Sequence, residues 1–241
     1  MPLRTLLAWL VHLYTALGAP LGVWAVFAAI DGDFRLAWFL VGVTVFIDAT
    51  DGALARAVRV WDVLPNVDGR RLDDVVDYFG WVVAPVILLM LAGLLPAWVA
   101  AAPLIASGYG FAQTQAKTDD DYFLGFPSYW SLIGFYLYVF QTSQAFNAAL
   151  ILLLSVLVFV PIRFPYPTKT KPLRPLTLAC GGIWGVMMLA LLALMPEPPM
   201  WIAWSSLIFV AYYLLLTAGL YPYRRRKAAQ QERAARAPAG R

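Results

Sequence analysis

The sequence predicts an all-α fold, a polytopic membrane helix bundle with about eight transmembrane helices. Composition is the first reason: 61% of the 241 residues are hydrophobic and only 13% are charged, whereas roughly a quarter of a soluble domain is charged. The second reason is the length of the apolar stretches, since a helix needs about 20 apolar residues to cross a bilayer. The third is the distribution of basic residues, which separates the loops into two groups.

Glycine, proline and charged residues divide the chain into eight apolar segments, each a predicted span. The segments cover residues 6–30, 34–57, 71–94, 97–116, 128–143, 146–162, 173–195 and 199–220. Together they form one membrane-embedded domain over residues 1–221, followed by a basic tail over residues 222–241. We expect the tail to lie in the cytoplasm against anionic lipid headgroups.

The basic residues indicate the orientation of the bundle. Eight spans place both termini on one side of the membrane. Of the 18 Lys and Arg residues, only Arg35 lies beside the loops on the other side, and the remaining seventeen fall with the termini. Because basic loops stay in the cytoplasm, we predict cytoplasmic termini in a bacterial inner membrane. Topology accounts for the basic residues, so no nucleic-acid partner is expected.

Four aspartates stand out where the second and third spans meet the predicted cytoplasmic face. Asp48 and Asp51 are three residues apart, and Asp73 and Asp77 are four apart. On a helix each pair shares one face, so four carboxylates can face one another across two adjacent helices. Carboxylates at membrane depth need a partner, and oxygen-only ligands suit Mg²⁺ or Mn²⁺. Four negative charges match two divalent ions that could bind a diphosphate.

The neighbouring residues fit a bulky phosphate ligand. Gly52 and Ala55 leave the surface beside Asp51 nearly bare, and Gly69 does the same one turn before Asp73. Arg56 follows at the membrane surface, where its guanidinium can pair with phosphate oxygens.

These residues form two ordered motifs. The first reads D-x-x-D-G-x-x-A-R from Asp48 to Arg56, and the second reads G-x-x-x-D-x-x-x-D from Gly69 to Asp77. Together they resemble the signature of the CDP-alcohol phosphotransferase family. Twelve residues separate Arg56 from Gly69, more than in the common family pattern, which lengthens the loop but leaves the spacing within each helix intact.

Within that family the chain is most similar to the branch that uses choline directly. Softer similarities support this: the early stretch from His12 to Gly18, the segments Gly125–Trp130 and Phe159–Arg163, the longer loop, and more spans than is usual in the family. The resemblance therefore implies transfer of the phosphatidyl group of CDP-diacylglycerol to choline, with release of CMP. It also implies a homodimer.

The resemblance implies a role for each motif residue. Four aspartates would hold two ions of Mn²⁺ or Mg²⁺: Asp48, Asp51, Asp73 and Asp77. Asp77 would also act as the general base. CDP-diacylglycerol would be contacted by Gly52, Ala55, Arg56, Gly69 and His12. For His12, a packed histidine with a structural role is an equally good interpretation.

Choline is a quaternary ammonium ion, which aromatic faces bind best. The candidates are Tyr78, Trp81, Tyr129 and Trp130. On a regular helix, Trp81 lies one turn deeper than Asp77 on the same face. The alternative is that these side chains are ordinary interface anchors, since Trp and Tyr are enriched at every membrane surface.

Other interpretations of the carboxylates remain open on the sequence. They could form a structural salt-bridge cluster with Arg56, Arg70 and Arg71. The same chemistry could use serine, inositol or glycerol phosphate. Asp73-Asp74-x-x-Asp77 also matches the DDxxD pattern of prenyl diphosphate enzymes. Finally, intramembrane carboxylates could bind a cation or proton in transit through a transporter.

Overall fold

The protein is described by a computed structural model that covers residues 3–113, 122–165 and 174–236. Within these residues it is almost entirely helical, as predicted. The helices are α1 Leu3–Ala16, α2 Gly18–Ile30, α3 Phe34–Val58, α4 Val60–Val63, α5 Gly69–Asp77, a π-helical segment Tyr78–Val83, α6 Ala84–Leu91, α7 Ala97–Ala112, α8 Trp130–Val139, α9 Gln144–Leu157, α10 Arg174–Ala193 and α11 Met200–Arg236.

The described helices differ in how well they match the thickness of a membrane. Five helical stretches are long and apolar enough to cross one. They are Leu3–Ile30, Phe34–Val58, Gly69–Leu91, Arg174–Ala193 and Met200–Gly219. Three further apolar helices, α7, α8 and α9, are shorter. Each of the eight predicted segments thus contains helix, and five of them meet the length expected of a span.

Two of the long stretches are not uniform α-helices, and a proline follows each irregularity. The first is interrupted at Leu17, three residues before Pro20. The third contains the π-helical segment, which ends two residues before Pro85. Proline has no amide hydrogen to donate to the preceding turn, so each proline leaves a helical carbonyl without its usual partner.

One pair of short strands interrupts the helical pattern, and the sequence analysis did not anticipate it. Strand β1, Tyr122–Leu124, pairs antiparallel with β2, Arg163–Pro165. The pairing continues into Gly125, whose amide donates to Ile162 O at 2.9 Å. Gly125 has a φ of +83°, and a Cβ there would lie 2.1 Å from Val158 O. Only glycine fits this turn.

Hydrogen bonds between distant described residues identify two ends of the bundle. At what we call the opposite end, Arg35 donates to Ala193 O at 3.1 Å and Gln144 donates to Gly93 O at 2.6 Å. At what we call the motif end, Arg4 donates to Val58 O at 3.4 Å. The loops after α2, α6, α8 and α10 therefore lie at the opposite end.

Small residues let the helices of the motif approach one another closely. A Cβ on Gly80 would lie 3.1 Å from Thr44 Oγ1, so the π-helical segment nearly touches α3 there. Likewise, a Cβ on Gly22 would lie 2.7 Å from the Phe79 ring. Such close contacts between small residues are typical of helix pairs in membranes. They bring α2, α3 and the π-helical segment together beneath the aspartates.

The last helix runs past the predicted boundary between the membrane domain and the tail. Helix α11 does not stop at residue 221 but continues to Arg236. The tail is rich in Ala, Arg and Gln, which are strong helix formers, and this composition explains the extension. The last five residues of the predicted tail, 237–241, lie outside the described part of the chain.

Candidate metal centre and substrate site

Three of the four predicted aspartates form one cluster. Asp48 comes from α3, and Asp73 and Asp77 come from α5. One carboxylate oxygen from each lies within 4.8 Å of the others, and all three side chains are partly buried. The i, i+4 spacing aligns Asp73 with Asp77, and the contact between Thr44 and Gly80 brings the two helices together one turn away.

The fourth aspartate, Asp51, is more buried than the other three. Only 6% of its surface is exposed. Thr15 of α1 donates a hydrogen bond from Oγ1 to Asp51 Oδ2 at 2.8 Å. At the neighbouring position, the Tyr14 and Thr50 hydroxyls are 2.8 Å apart. Helix α1 thus contacts α3 through two adjacent hydrogen bonds, one of which ends on a motif carboxylate.

The chemistry of the donor set fits a divalent metal. Three carboxylates this close repel one another in a partly buried setting unless a cation lies between them. All candidate ligand atoms are carboxylate oxygens, which suits Mg²⁺ or Mn²⁺ better than a thiophilic metal. The side chains of Asp48, Asp73 and Asp77 could therefore hold such an ion, with Asp51 one helical turn along α3.

Arginines at the motif end have defined partners near the cluster. Arg71 forms an ion pair with Asp68 at 3.2 Å, and Arg59 forms one with Asp62 at 2.8 Å. Asp68 also caps α5, accepting from the amides of Arg70 and Arg71 at 3.2 Å. The α5 arginine closest in sequence to the cluster, Arg71, is thus engaged with the cap of its own helix.

Gly52 and Arg56 are brought together on α3. A Cβ on Gly52 would lie 3.2 Å from a guanidinium nitrogen of Arg56. The exposed Arg56 side chain therefore folds back over the bare surface that the glycine leaves. Ala55 faces elsewhere and packs beside Ala8, Val11 and Val60.

Gly69 and His12 also meet. A Cβ on Gly69 would lie 2.8 Å from His12 Cε1, so the imidazole occupies the space that the missing side chain leaves. His12 is 5% exposed, and its Nε2 has no hydrogen-bond partner among the described residues. Trp9 packs edge-on against the ring, with centroids 6.4 Å apart.

The four aromatic candidates separate into two groups. Trp81 and Tyr129 contact one another, with ring centroids 5.7 Å apart, and both are partly buried. Tyr78 instead donates its hydroxyl to Leu104 O at 3.0 Å on α7. Trp130 is 2% exposed and donates to Ser107 Oγ at 2.7 Å. Hydrogen bonds thus hold Tyr78 and Trp130, while Tyr129, which is hydrogen-bonded to Tyr213, packs against Trp81.

Sequence reasoning assigned no role to two residues that shape this site. Thr15 lies in an apolar helix one turn after His12, and a hydroxyl at that depth is a signal that could have pointed to a buried partner. Gly80 carries no side chain, and its carbonyl accepts from Ser131 Oγ at 3.1 Å. Nothing in the local sequence indicates either contact, because the partners are 36 and 51 residues away.

Fold and site together define a helical, multi-pass membrane protein with an all-carboxylate candidate metal centre near one end of its bundle. Over 222 residues, the chain is 40% identical to the phosphatidylcholine synthase of Legionella pneumophila, covering 87% of each chain. It is 35% identical over 205 residues to the Rhizobium meliloti phosphatidylcholine synthase, covering 83% of this chain and 85% of that one. The chain belongs to the phosphatidylcholine synthase family.

A third relative shows a similar level of identity. The phosphatidylcholine synthase of Borreliella burgdorferi is 35% identical over 180 residues, or 73% of this chain and 77% of that one. No family model matches the chain. The resemblance drawn from the aspartate motifs and the softer segments is confirmed by these relatives.

Asp73→Asn should weaken Mn²⁺ binding because it removes one carboxylate of the cluster. We expect the Mn²⁺ affinity to fall by at least the roughly 10- to 100-fold that is lost when a residue beside the metal ligands is substituted. Electron paramagnetic resonance titration of the purified protein in lipid nanodiscs would measure the affinity. Asp74→Asn is the matched control, since Asp74 lies about 100° around the helix from Asp73. Equal losses in the two variants would contradict the assignment.

Proposed function

We propose that this enzyme transfers the phosphatidyl group of CDP-diacylglycerol to choline, giving phosphatidylcholine and CMP. The observation that carries the proposal is the clustering of Asp48, Asp73 and Asp77 in a chain whose relatives are phosphatidylcholine synthases. The choline oxygen attacks the phosphorus attached to diacylglycerol, and the bond from that phosphorus to the CMP oxygen breaks. The hydroxyl proton leaves choline, and the lipid product remains in the membrane.

The four aspartates hold two divalent ions in this proposal, Mg²⁺ or Mn²⁺. When bound, these ions neutralise the charge of the diphosphate and of the departing CMP. Phosphoryl transfer needs little beyond positioning and charge neutralisation. The short distances among the three clustered carboxylates support this role. Asp48, Asp51 and Asp73 act as ligands, and Asp77 both contacts a metal and serves as base.

Asp77 accepts the proton of the choline hydroxyl in this scheme. It ends α5, directly before the π-helical segment that carries Trp81. A base must lie within hydrogen-bond reach of the proton that it removes, and Trp81 of the aromatic pair follows Asp77 by four residues on the same helical stretch. General base catalysis of this kind contributes about 10²- to 10⁴-fold to rates.

The nucleotide end of CDP-diacylglycerol is proposed to lie over the glycine positions. Arg56 covers Gly52 and can swing to pair with diphosphate oxygens. His12 lies against Gly69 with Nε2 free of a hydrogen-bond partner among the described residues, so it can bind a nucleotide group. Ala55, which packs towards α1, would contribute only its small size to the approach of the nucleotide.

The aromatic pair Trp81 and Tyr129 is our preferred site for the quaternary ammonium group. Their contact gives two adjacent π faces, which is the environment that attracts such a cation. Tyr78 and Trp130 belong to the same proposal as walls of the pocket, since hydrogen bonds to Leu104 and Ser107 hold their rings in place.

We further propose eight membrane crossings, with both termini in the cytoplasm of a bacterial inner membrane. The position of the loops after α2, α6, α8 and α10 at the opposite end supports this count. Among the described residues, Arg35 lies at the opposite end, whereas Arg56, Arg59, Arg70 and Arg71 lie beside the aspartate motifs, and basic residues favour the cytoplasmic side. The aspartates would then open towards the compartment in which CMP is released.

The remaining assignments follow from the same scheme. Residues 1–221 form the catalytic membrane domain, and residues 222–241 form a basic cytoplasmic extension that attracts anionic lipid. A homodimer is proposed on the family resemblance alone. The names of the relatives favour choline over serine, inositol or glycerol phosphate as acceptor, and favour an enzyme over a cation transporter.

The function is tested with purified protein, CDP-diacylglycerol, Mn²⁺ or Mg²⁺ and labelled choline. We expect labelled phospholipid and an equal amount of CMP, both lost when a chelator is added. Serine, inositol and glycerol phosphate serve as competing acceptors in parallel reactions. A product with one of these alcohols and none with choline would identify that alcohol, rather than choline, as the acceptor substrate. If no alcohol gives a product and the protein conducts ions in liposomes, the proposed enzymatic activity is refuted.

Asp77→Asn should abolish turnover in that assay while CDP-diacylglycerol remains bound, because the amide keeps the shape of the side chain but accepts no proton. We expect kcat to fall by at least about 10²-fold, with binding followed by isothermal calorimetry. Asp74→Asn controls for loss of negative charge on α5. Substantial residual turnover of Asp77→Asn would rule out its role as base.

Trp81→Leu should raise KM for choline because it removes a π face but retains apolar bulk. A cation–π contact contributes about 0.5–2 kcal/mol, so the rise should be roughly 2- to 30-fold. Trp81→Phe keeps an aromatic face and should lie between Trp81→Leu and the wild type. KM for CDP-diacylglycerol serves as the internal control. If both KM values rise together in Trp81→Leu, the residue supports the fold rather than choline.

A further inference from the structure

Helix α1 makes two neighbouring hydrogen bonds to α3, and the two bonds end on different chemical groups. Tyr14 bonds to Thr50, a residue that also donates to Phe46 O at 2.8 Å within its own helix. Thr15 bonds to Asp51 Oδ2 at 2.8 Å. The first bond joins two hydroxyls, whereas the second ends on a carboxylate of the motif. Only the second can affect the orientation of a metal-binding group.

The environment of Asp51 makes the Thr15 bond important. Asp51 and Thr15 are both 6% exposed, so water has little access to either side chain. A buried ionised carboxylate is strongly unfavourable without donors or cations. Thr15 supplies a donor to one oxygen, Oδ2, which leaves the other oxygen for another partner. A hydrogen bond to a charged group also fixes the carboxylate plane more firmly than one to a neutral group.

The alternative use of the Thr15 hydroxyl is weaker. Its Oγ1 also lies 3.4 Å from Val11 O, one turn back along α1, where a helical threonine commonly donates. The hydroxyl has a single hydrogen, and the 2.8 Å contact with Asp51 has the better geometry for it. The observed arrangement therefore directs the Thr15 hydrogen out of its own helix and onto α3.

We propose that Thr15 is a positioning residue: its hydroxyl orients the Asp51 carboxylate for divalent metal binding from outside the coordination sphere. This inference rests on the proposed role of Asp51 as a metal ligand. Groups that orient ligands in this way tune affinity by about 10- to 100-fold. Helix α1 then contributes to the metal centre without supplying a ligand, and its docking on α3 is coupled to metal affinity.

The test compares Mn²⁺ affinity across a small set of variants, measured by electron paramagnetic resonance in nanodiscs without substrate. Thr15→Val removes the hydroxyl while keeping the shape of the side chain. Thr15→Ser restores the hydroxyl. Tyr14→Phe is the matched control, since it removes the neighbouring hydrogen bond between the same two helices. Asp51→Asn reports the contribution of the ligand itself. Thermal unfolding without metal reports loss of structure.

We expect Thr15→Val to bind Mn²⁺ about 10- to 100-fold more weakly, with Thr15→Ser close to the wild type and Tyr14→Phe unchanged. The metal-free thermal midpoint of Thr15→Val should fall further than that of Tyr14→Phe, because Thr15→Val leaves the buried Asp51 carboxylate without its donor. Should Thr15→Val not fold, Thr15→Ala replaces it, with the same expected loss of affinity.

Two results would overturn the inference, and they are distinguishable. If Asp51→Asn loses affinity while Thr15→Val binds Mn²⁺ as tightly as Tyr14→Phe does, then Thr15 only joins the helices, and the proposed ligand set stands. If Asp51→Asn itself binds Mn²⁺ like the wild type, then Asp51 is not a ligand, and both the proposed ligand set and the role of Thr15 fail.

Discussion

The close approach of α3 and the π-helical segment, where Gly80 meets Thr44, is the constraint on which the rest of the site depends. Asp48 lies one turn beyond Thr44 on α3, and Asp77 lies one turn before Gly80. Any side chain at residue 80 would contact Thr44 at about van der Waals distance or less, since even a Cβ lies 3.1 Å from its Oγ1. The separation of the carboxylates is thus set by backbone contact rather than by the carboxylates, which repel one another.

That contact is maintained by neighbours on the other faces of the two helices. Gly22 of α2 admits the Phe79 ring, and Ser131 of α8 donates to the Gly80 carbonyl. A polar backbone group in a π-helical turn thereby gains a partner that the regular ladder does not supply. Helix α1 packs against the remaining side, where Thr15 contacts Asp51 and His12 contacts Gly69. Helices α1, α2 and α8 therefore pack around these two helices, and each contributes a small or hydroxyl-bearing residue at the point of contact.

Much of this arrangement could be predicted from the sequence, because local spacing determines it. The positions of the helices follow from apolar length, and the pairing of Asp73 with Asp77 follows from their i, i+4 spacing. The strand pair and the bond from Thr15 to Asp51 could not be predicted. Each depends on residues far apart in the chain meeting in space, such as Leu124 with Arg163. A single sequence shows the local periodicity, but it does not show which distant residue a side chain contacts.

The π-helical segment explains why the aromatic candidates separate as they do. On a regular helix, Tyr78 and Trp81 follow Asp77 at 100° per residue, so Trp81 lies beneath Asp77 and Tyr78 lies to one side. A π-helical turn contains more residues, since its bonds run from i to i+5, and it changes the direction of every side chain that follows. Tyr78 reaches Leu104 on α7, while Trp81 meets Tyr129 at the start of α8. Trp81 thus follows Asp77 by about one turn of a continuous helical stretch, so the proposed base and the proposed cation site lie on consecutive turns.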